Sequence, residues 1–232
     1  MINNLRGIFV IDKDKLRNCF LYTYIIGFIA HGYAYANFQP SHDSLNELIS
    51  DATYISWKLQ LGRYLKPLYD FVFGCFESFP WSNGIFSLFW ISISAYLICE
   101  MLNFEKKHYI LIVCGILTTN ITVISLTATY AQDLGGDMFA LALSVLATYI
   151  WQRYTLIKEK NYKLFAIYGC LACLCLMFSL ALYQAYICVY VSLVLMISII
   201  KCINAEKNNL KDIWNSCFCA LFFLITGGVA TI

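Results

Sequence analysis

Apolar runs alternate with short polar stretches along almost the whole chain. The runs cover Cys19–Ala36, Asn83–Leu102, Tyr109–Thr129, Met138–Trp151, Leu164–Leu182, Ala185–Ile200 and Ile213 to the end. A helix needs roughly 20 apolar residues to cross about 30 Å of hydrocarbon, and only a helix satisfies its own backbone groups there without strand partners. The pattern predicts an all-α integral membrane protein, a polytopic bundle of about seven transmembrane helices. One interruption is much longer than the others. Residues 37–82 are polar or mixed and hold all three prolines, with Pro40 and Pro80 placed as helix boundaries. Within them Leu45, Leu48, Ile49, Ala52, Ile55 and Leu59 recur mostly at spacings of three and four. That periodicity predicts an amphipathic helix lying in the membrane interface.

The basic residues give this pattern a direction. All but Lys58, Arg63 and Lys66 of the 16 lysines and arginines fall in the amino-terminal segment and in alternate connections thereafter. The positive-inside rule then predicts a cytoplasmic amino-terminal segment, residues 1–18, and a transmembrane domain, residues 19–232, whose loop 37–82 faces out. A signal-peptide reading of "AYAN" at Ala34–Asn37 is disfavoured by Asp12 and Asp14 upstream and by His31 inside the run. The final run ends without a flanking charge, as expected of the amino-terminal part of a longer protein.

Composition excludes a soluble domain: 60% of residues are hydrophobic, 13% are charged and the mean hydropathy is +0.67. Membrane lipids are the expected surroundings, and no nucleic-acid partner is expected. The 11 cysteines lie mostly inside apolar runs, and "CLACLC" at Cys170–Cys175 has no histidine or second pair nearby, so neither a disulfide framework nor zinc is predicted.

Candidate chemistry gathers on the predicted outer face. Asp43 follows the first span. It can serve as a general base beside His42, or as the N-cap of a helix starting at Ser44. Arg63 and Lys66, three apart, would share a helix face and hold a phosphate, or else snorkel to lipid headgroups. Asp133 and Asp137 bracket "LGG"; a helix N-terminus would stabilise both. Two carboxylates are too few to predict a divalent-cation site, so no cofactor or metal is expected. Tyr183 and Gln184 interrupt a long apolar stretch and predict a tight outer turn, while His31 reads as a packing residue.

In order along the chain, "HGYAYANFQPSHDSL", "WKLQLGRYLKPLYDFV", "PWSNGIFSLFWISISAYL" and "SLALYQAYICVY" resemble the GtrII-type glucosyltransferases. The resemblance implies a GT-C-like enzyme of the bacterial inner membrane. Such an enzyme takes glucose from a polyprenyl-phosphate-linked donor and passes it to a lipid-linked or surface glycan acceptor, as in O-antigen modification, on the periplasmic face. It implies that Asp43 activates the acceptor hydroxyl and that Arg63 or Lys66 faces the donor phosphate. Asp133 and the turn at Tyr183 and Gln184 would line the same cavity. Members of that family are commonly longer. A non-catalytic membrane partner and a lipid-linked sugar transporter are the competing expectations, although a transporter would want ionisable residues within its spans and Glu100 is nearly alone there.

Overall fold

A computed structural model describes residues 11–37, 51–73, 80–157, 162–204 and 210–229, and every regular element among them is helical. In chain order these are α1 (Lys13–Ala36), α2 (Asp51–Gln60), α3 (Lys66–Phe73), α4 (Pro80–Met101), α5 (Lys107–Thr118), α6 (Ile121–Thr129), α7 (Leu134–Thr155) and α8 (Tyr162–Leu182). A 3-10 turn (Gln184–Tyr186) leads into α9 (Ile187–Ile203), and α10 (Leu210–Val229) follows.

Four of these elements are long and apolar enough to cross a membrane: α4, α7, α8, and the 3-10 turn with α9. The pair α5 and α6 makes a fifth if its halves count as one span, bent by 42°. The expected seven runs map onto α1, α4, α5 with α6, α7, α8, α9 and α10. By length and apolarity, four or five of them qualify as spans.

The break in the predicted span Tyr109–Thr129 has a local cause. Asn120 caps α6 by accepting from the Val123 N–H at 3.1 Å, and its amide donates to the Leu117 carbonyl at 2.6 Å. The Thr118 and Thr119 hydroxyls turn back onto the carbonyls of Cys114 and Gly115. His31 Nε2 lies 2.9 Å from the Thr118 carbonyl oxygen, which satisfies a group at the end of α5. His31 is thus the packing residue its sequence context predicts.

α7 is the axis of the fold. Of its membrane-span window, 89% is buried, so it is surrounded by protein where the other spans keep an outward apolar face. Small residues allow this: Ser179 on α8 donates to the Ala140 carbonyl at 2.8 Å and lies 2.9 Å from the Ser144 hydroxyl. α1 packs as closely on α4, where a Cβ at Gly84 would come within 2.5 Å of the Tyr35 ring. Large apolar side chains such as Ile29, Phe28, Ile199 and Ile203 are exposed along the helices, the surface expected to meet hydrocarbon rather than water.

The two ends of the bundle differ. Where α4 and α7 finish and α1 begins, Lys15 and Arg153 both pair with Glu100, at 2.5 and 3.4 Å, and Lys201 donates to the Thr155 hydroxyl. The opposite end, where α7 begins and α8 finishes, carries the short helices α2 and α3.

Candidate functional site

Of the amphipathic stripe predicted for the first long loop, Ile55 is half-buried and Leu59 exposed in the structure, as suits an apolar face turned to the membrane interface. Leu45, Leu48 and Ile49 lie outside the described residues. Within α2 the buried face carries Tyr54 and Lys58, while Trp57 and Leu59 are exposed. Apolar groups cost nothing against hydrocarbon, whereas an ammonium needs a partner inside the protein. Lys58 finds one in Asp133, whose two carboxylate oxygens it reaches at 2.8 and 2.7 Å.

Arg63 and Lys66 do not share a helix face. Gly62, at φ +74°, ends α2 in the left-handed region that a side chain disfavours. Arg63 sits in the turn that follows, and Lys66 opens α3. The turn is held from outside: Gln184 donates to the Leu61 carbonyl at 2.8 Å, and the Leu65 N–H donates to the Ala181 carbonyl at 3.1 Å. Gln184 itself is exposed, so its part here is to tie the α8–α9 turn to the end of α2.

Lys66 is 1% exposed and reaches both oxygens of Asp70, at 2.5 and 2.7 Å, with Asp133 at 3.3 Å and the Gln132 carbonyl also at 3.3 Å. The Tyr54 hydroxyl donates to Asp70 as well. Room for this side chain comes from the glycine pair opening α7, since a Cβ at Gly136 would meet Lys66 Cδ at 2.8 Å. α3 is fixed beside it by Tyr69, which accepts from Trp90 Nε1 at 3.0 Å and stacks between Phe73 and Phe139.

Electrostatics follow from burial and these partners. Burial opposes the charge of Asp133, but Lys66, Lys58 and Arg63 outweigh it and hold its carboxyl below the usual aspartate value. Burial likewise opposes the Lys66 ammonium, yet Asp70 first, then Tyr54 and Asp133, keep it well above the ordinary lysine value. For Asp70 burial prevails, and its carboxyl is pushed up in spite of Lys66.

A cavity of about 900 Å³ opens beside this network. Its walls come from α2 (Tyr54, Trp57, Lys58), the turn (Leu61, Arg63), α6 (Ile121, Thr122, Ser125), the α7 N-terminus (Asp133, Asp137) and Tyr183. Arg63 stacks on the Tyr183 ring, 4.1 Å from its centroid, and stays 3.8 Å from Asp133, with its Nε unpartnered among the described residues. Asp137, in the first turn of α7, is 1% exposed, and its Oδ1 has no hydrogen-bond partner among the described residues.

The structure therefore brings Arg63, Asp133, Asp137 and Tyr183 to one cavity, puts Lys66 behind its wall, and leaves Gln184 supporting the turn. His42 and Asp43 lie outside the described residues. Sequence reasoning passed over Tyr54, Lys58 and Asp70. The signal that could have found them is the i, i+4 spacing of Tyr54 with Lys58 and of Lys66 with Asp70, ionisable pairs in a chain otherwise short of charge. No cluster of three or more histidine, cysteine, aspartate or glutamate side chains able to hold a metal occurs among the described residues.

A family model described as "Glucosyl transferase GtrII" matches residues 32–231, which include the whole cavity and the bundle from the end of α1 onward. The chain belongs to the GtrII glucosyl transferase family. No curated protein and no solved structure matches it. Membership implies glucosyltransferase activity, and the apolar helices agree with a membrane location. In this GtrII chain the cavity is built from the stretch that departs from the apolar pattern, from α6, and from the start of α7 and the Tyr183 turn.

Proposed function

We propose that this chain transfers glucose from a polyprenyl-phosphate-glucose donor to a lipid-linked or surface glycan, as in O-antigen modification, at the outer face of a bacterial inner membrane. The observation that carries the reading is the cavity: three separated parts of the chain converge to place a guanidinium, its Nε unpartnered among the described residues, beside buried carboxylates, at the end of the bundle away from Lys15 and Arg153. Its volume suits a sugar phosphate. The basic cluster at the other end favours placing the cavity outside by the positive-inside rule.

In this reading Arg63 receives the donor phosphate. Its planar fork suits a phosphate, and Tyr183 holds it flat from behind. Lys66 is committed to Asp70 and plays no part at the phosphate. Asp43 takes the proton of the acceptor hydroxyl as that oxygen bonds to the anomeric carbon. The bond from that carbon to the phosphate oxygen breaks, and its electron pair leaves with the phosphate toward Arg63. No cofactor or metal enters this scheme.

The test is transfer of labelled glucose from polyprenyl-phosphate-glucose to lipid-linked glycan in membranes carrying this chain or its Asp43→Asn variant. Transfer by the former that disappears in the latter is expected. Transfer that survives Asp43→Asn would remove Asp43 from the chemistry, and no transfer by either would count against the donor assignment.

A further inference from the structure

We infer that Asp137 is the group that holds the sugar of the donor, accepting hydrogen bonds from glucose hydroxyls while Arg63 holds the phosphate. This rests on the donor reading above and assigns one half of that ligand to a residue of its own.

Two aspartates four residues apart differ in what they touch. Asp133 has no capacity to spare: Lys58 takes both its oxygens, Lys66 is 3.3 Å from one and Arg63 is 3.8 Å from the other. It organises the wall. Asp137 is equally buried and lines the same cavity, yet its Oδ1 has no partner among the described residues. Leaving a buried carboxylate oxygen unsatisfied costs free energy unless something supplies a donor. Lys58 and Lys66 are engaged with Asp133 and Asp70, which leaves a ligand entering the cavity as the group to supply the missing donor.

The ligand is defined by what the cavity leaves unused. Arg63 offers its Nε donor and calls for an anion; Asp137 offers an unused carboxyl oxygen and calls for a hydroxyl or amine partner. A neutral polyol carried on a phosphate ester meets both demands at once. The glycine pair before Asp137 leaves room for Lys66 behind it, so Asp133 is anchored from the rear, whereas no ion pair to Asp137 occurs among the described residues.

The experiment measures equilibrium binding of two lipids, polyprenyl phosphate and polyprenyl-phosphate-glucose, to the full chain and to Asp137→Asn, Asp137→Ala and Arg63→Gln. Loss of charge-assisted hydroxyl contacts at Asp137 is expected to weaken the glucose-bearing lipid by roughly 10- to 100-fold. Binding of the bare polyprenyl phosphate stays unchanged, and that lipid also reports that the variants are folded. Arg63→Gln is expected to weaken both lipids. The inference is overturned if Asp137→Asn and Asp137→Ala leave the glucose-bearing lipid at wild-type affinity, or weaken both lipids equally. Failure of the unmodified chain to bind either lipid would instead remove the donor reading itself, and the inference with it.

Discussion

Replacing Asp133 by asparagine keeps the shape of the side chain and removes one charge. Lys58, 2% exposed, then loses the carboxylate whose two oxygens it reaches at 2.8 and 2.7 Å, and Lys66 keeps Asp70. Leaving a buried ion without its counterion costs about 3–5 kcal/mol. At roughly 2–4 °C per kcal/mol for a chain of this size, the apparent Tm falls by about 6–20 °C. Thermal unfolding of the purified protein in detergent micelles, followed by tryptophan fluorescence, reads the change directly. Lys58→Met combined with Asp133→Leu should recover most of the loss, because both charges are then gone and the space is refilled. The pH dependence has the same origin. Asp133 is held below the ordinary 3.8, so its contribution is complete above that value and is lost as pH falls through the lower folded one. Asp133→Asn should flatten that acid limb. A variant as stable as the parent, or a double variant no better than the single one, would refute a buried ion network at this position.

Asp137→Asn should move stability the other way, raising it by about 1–3 kcal/mol in the same unfolding assay, because it relieves an unsatisfied buried carboxylate. Gly84→Ala places a methyl against the inner atoms of the Tyr35 ring rather than a flexible tip, so a loss of about 1–3 kcal/mol is expected by the same measurement. Asn120→Ala removes the α6 cap, costing about 1 kcal/mol. Since α6 supplies Ile121, Thr122 and Ser125 to the cavity, the same variant should weaken polyprenyl-phosphate-glucose binding measured on the purified protein.

The bundle was legible because hydrophobic runs are a local property. Span length depends on bilayer thickness and rise per residue, both independent of what packs where, so the apolar runs located the helices from Asn83 to Leu182 closely. The bend at Asn120 was missed because a run averages over a single capping residue. The partner of the polar face of α2 was hidden for another reason. Ile55 and Leu59 mark the side for the membrane interface, but nothing local says what the other side meets. Only the position of Asp133, 75 residues away from Lys58, decides that the Tyr54 and Lys58 side is buried.

The sequence by itself determined an all-helical membrane chain with opposite charge character at its two ends, one long departure from the apolar pattern, and membership of a glucosyltransferase family. These rest on composition, periodicity and motifs, which the chain carries residue by residue. Tertiary structure alone decided the roles within "KLQLGRYLKPLYD" and "DLGGD": Lys66 turned to Asp70, Asp133 met by three cations, Arg63 stacked on Tyr183, and Asp137 with its Oδ1 unpartnered among the described residues. The charges of Asp133 and Asp137 are identical in the sequence. What separates them is which donors the fold brings within about 3 Å of each, and hydrogen bonding falls away too steeply with distance and angle for spacing along a chain to foretell it.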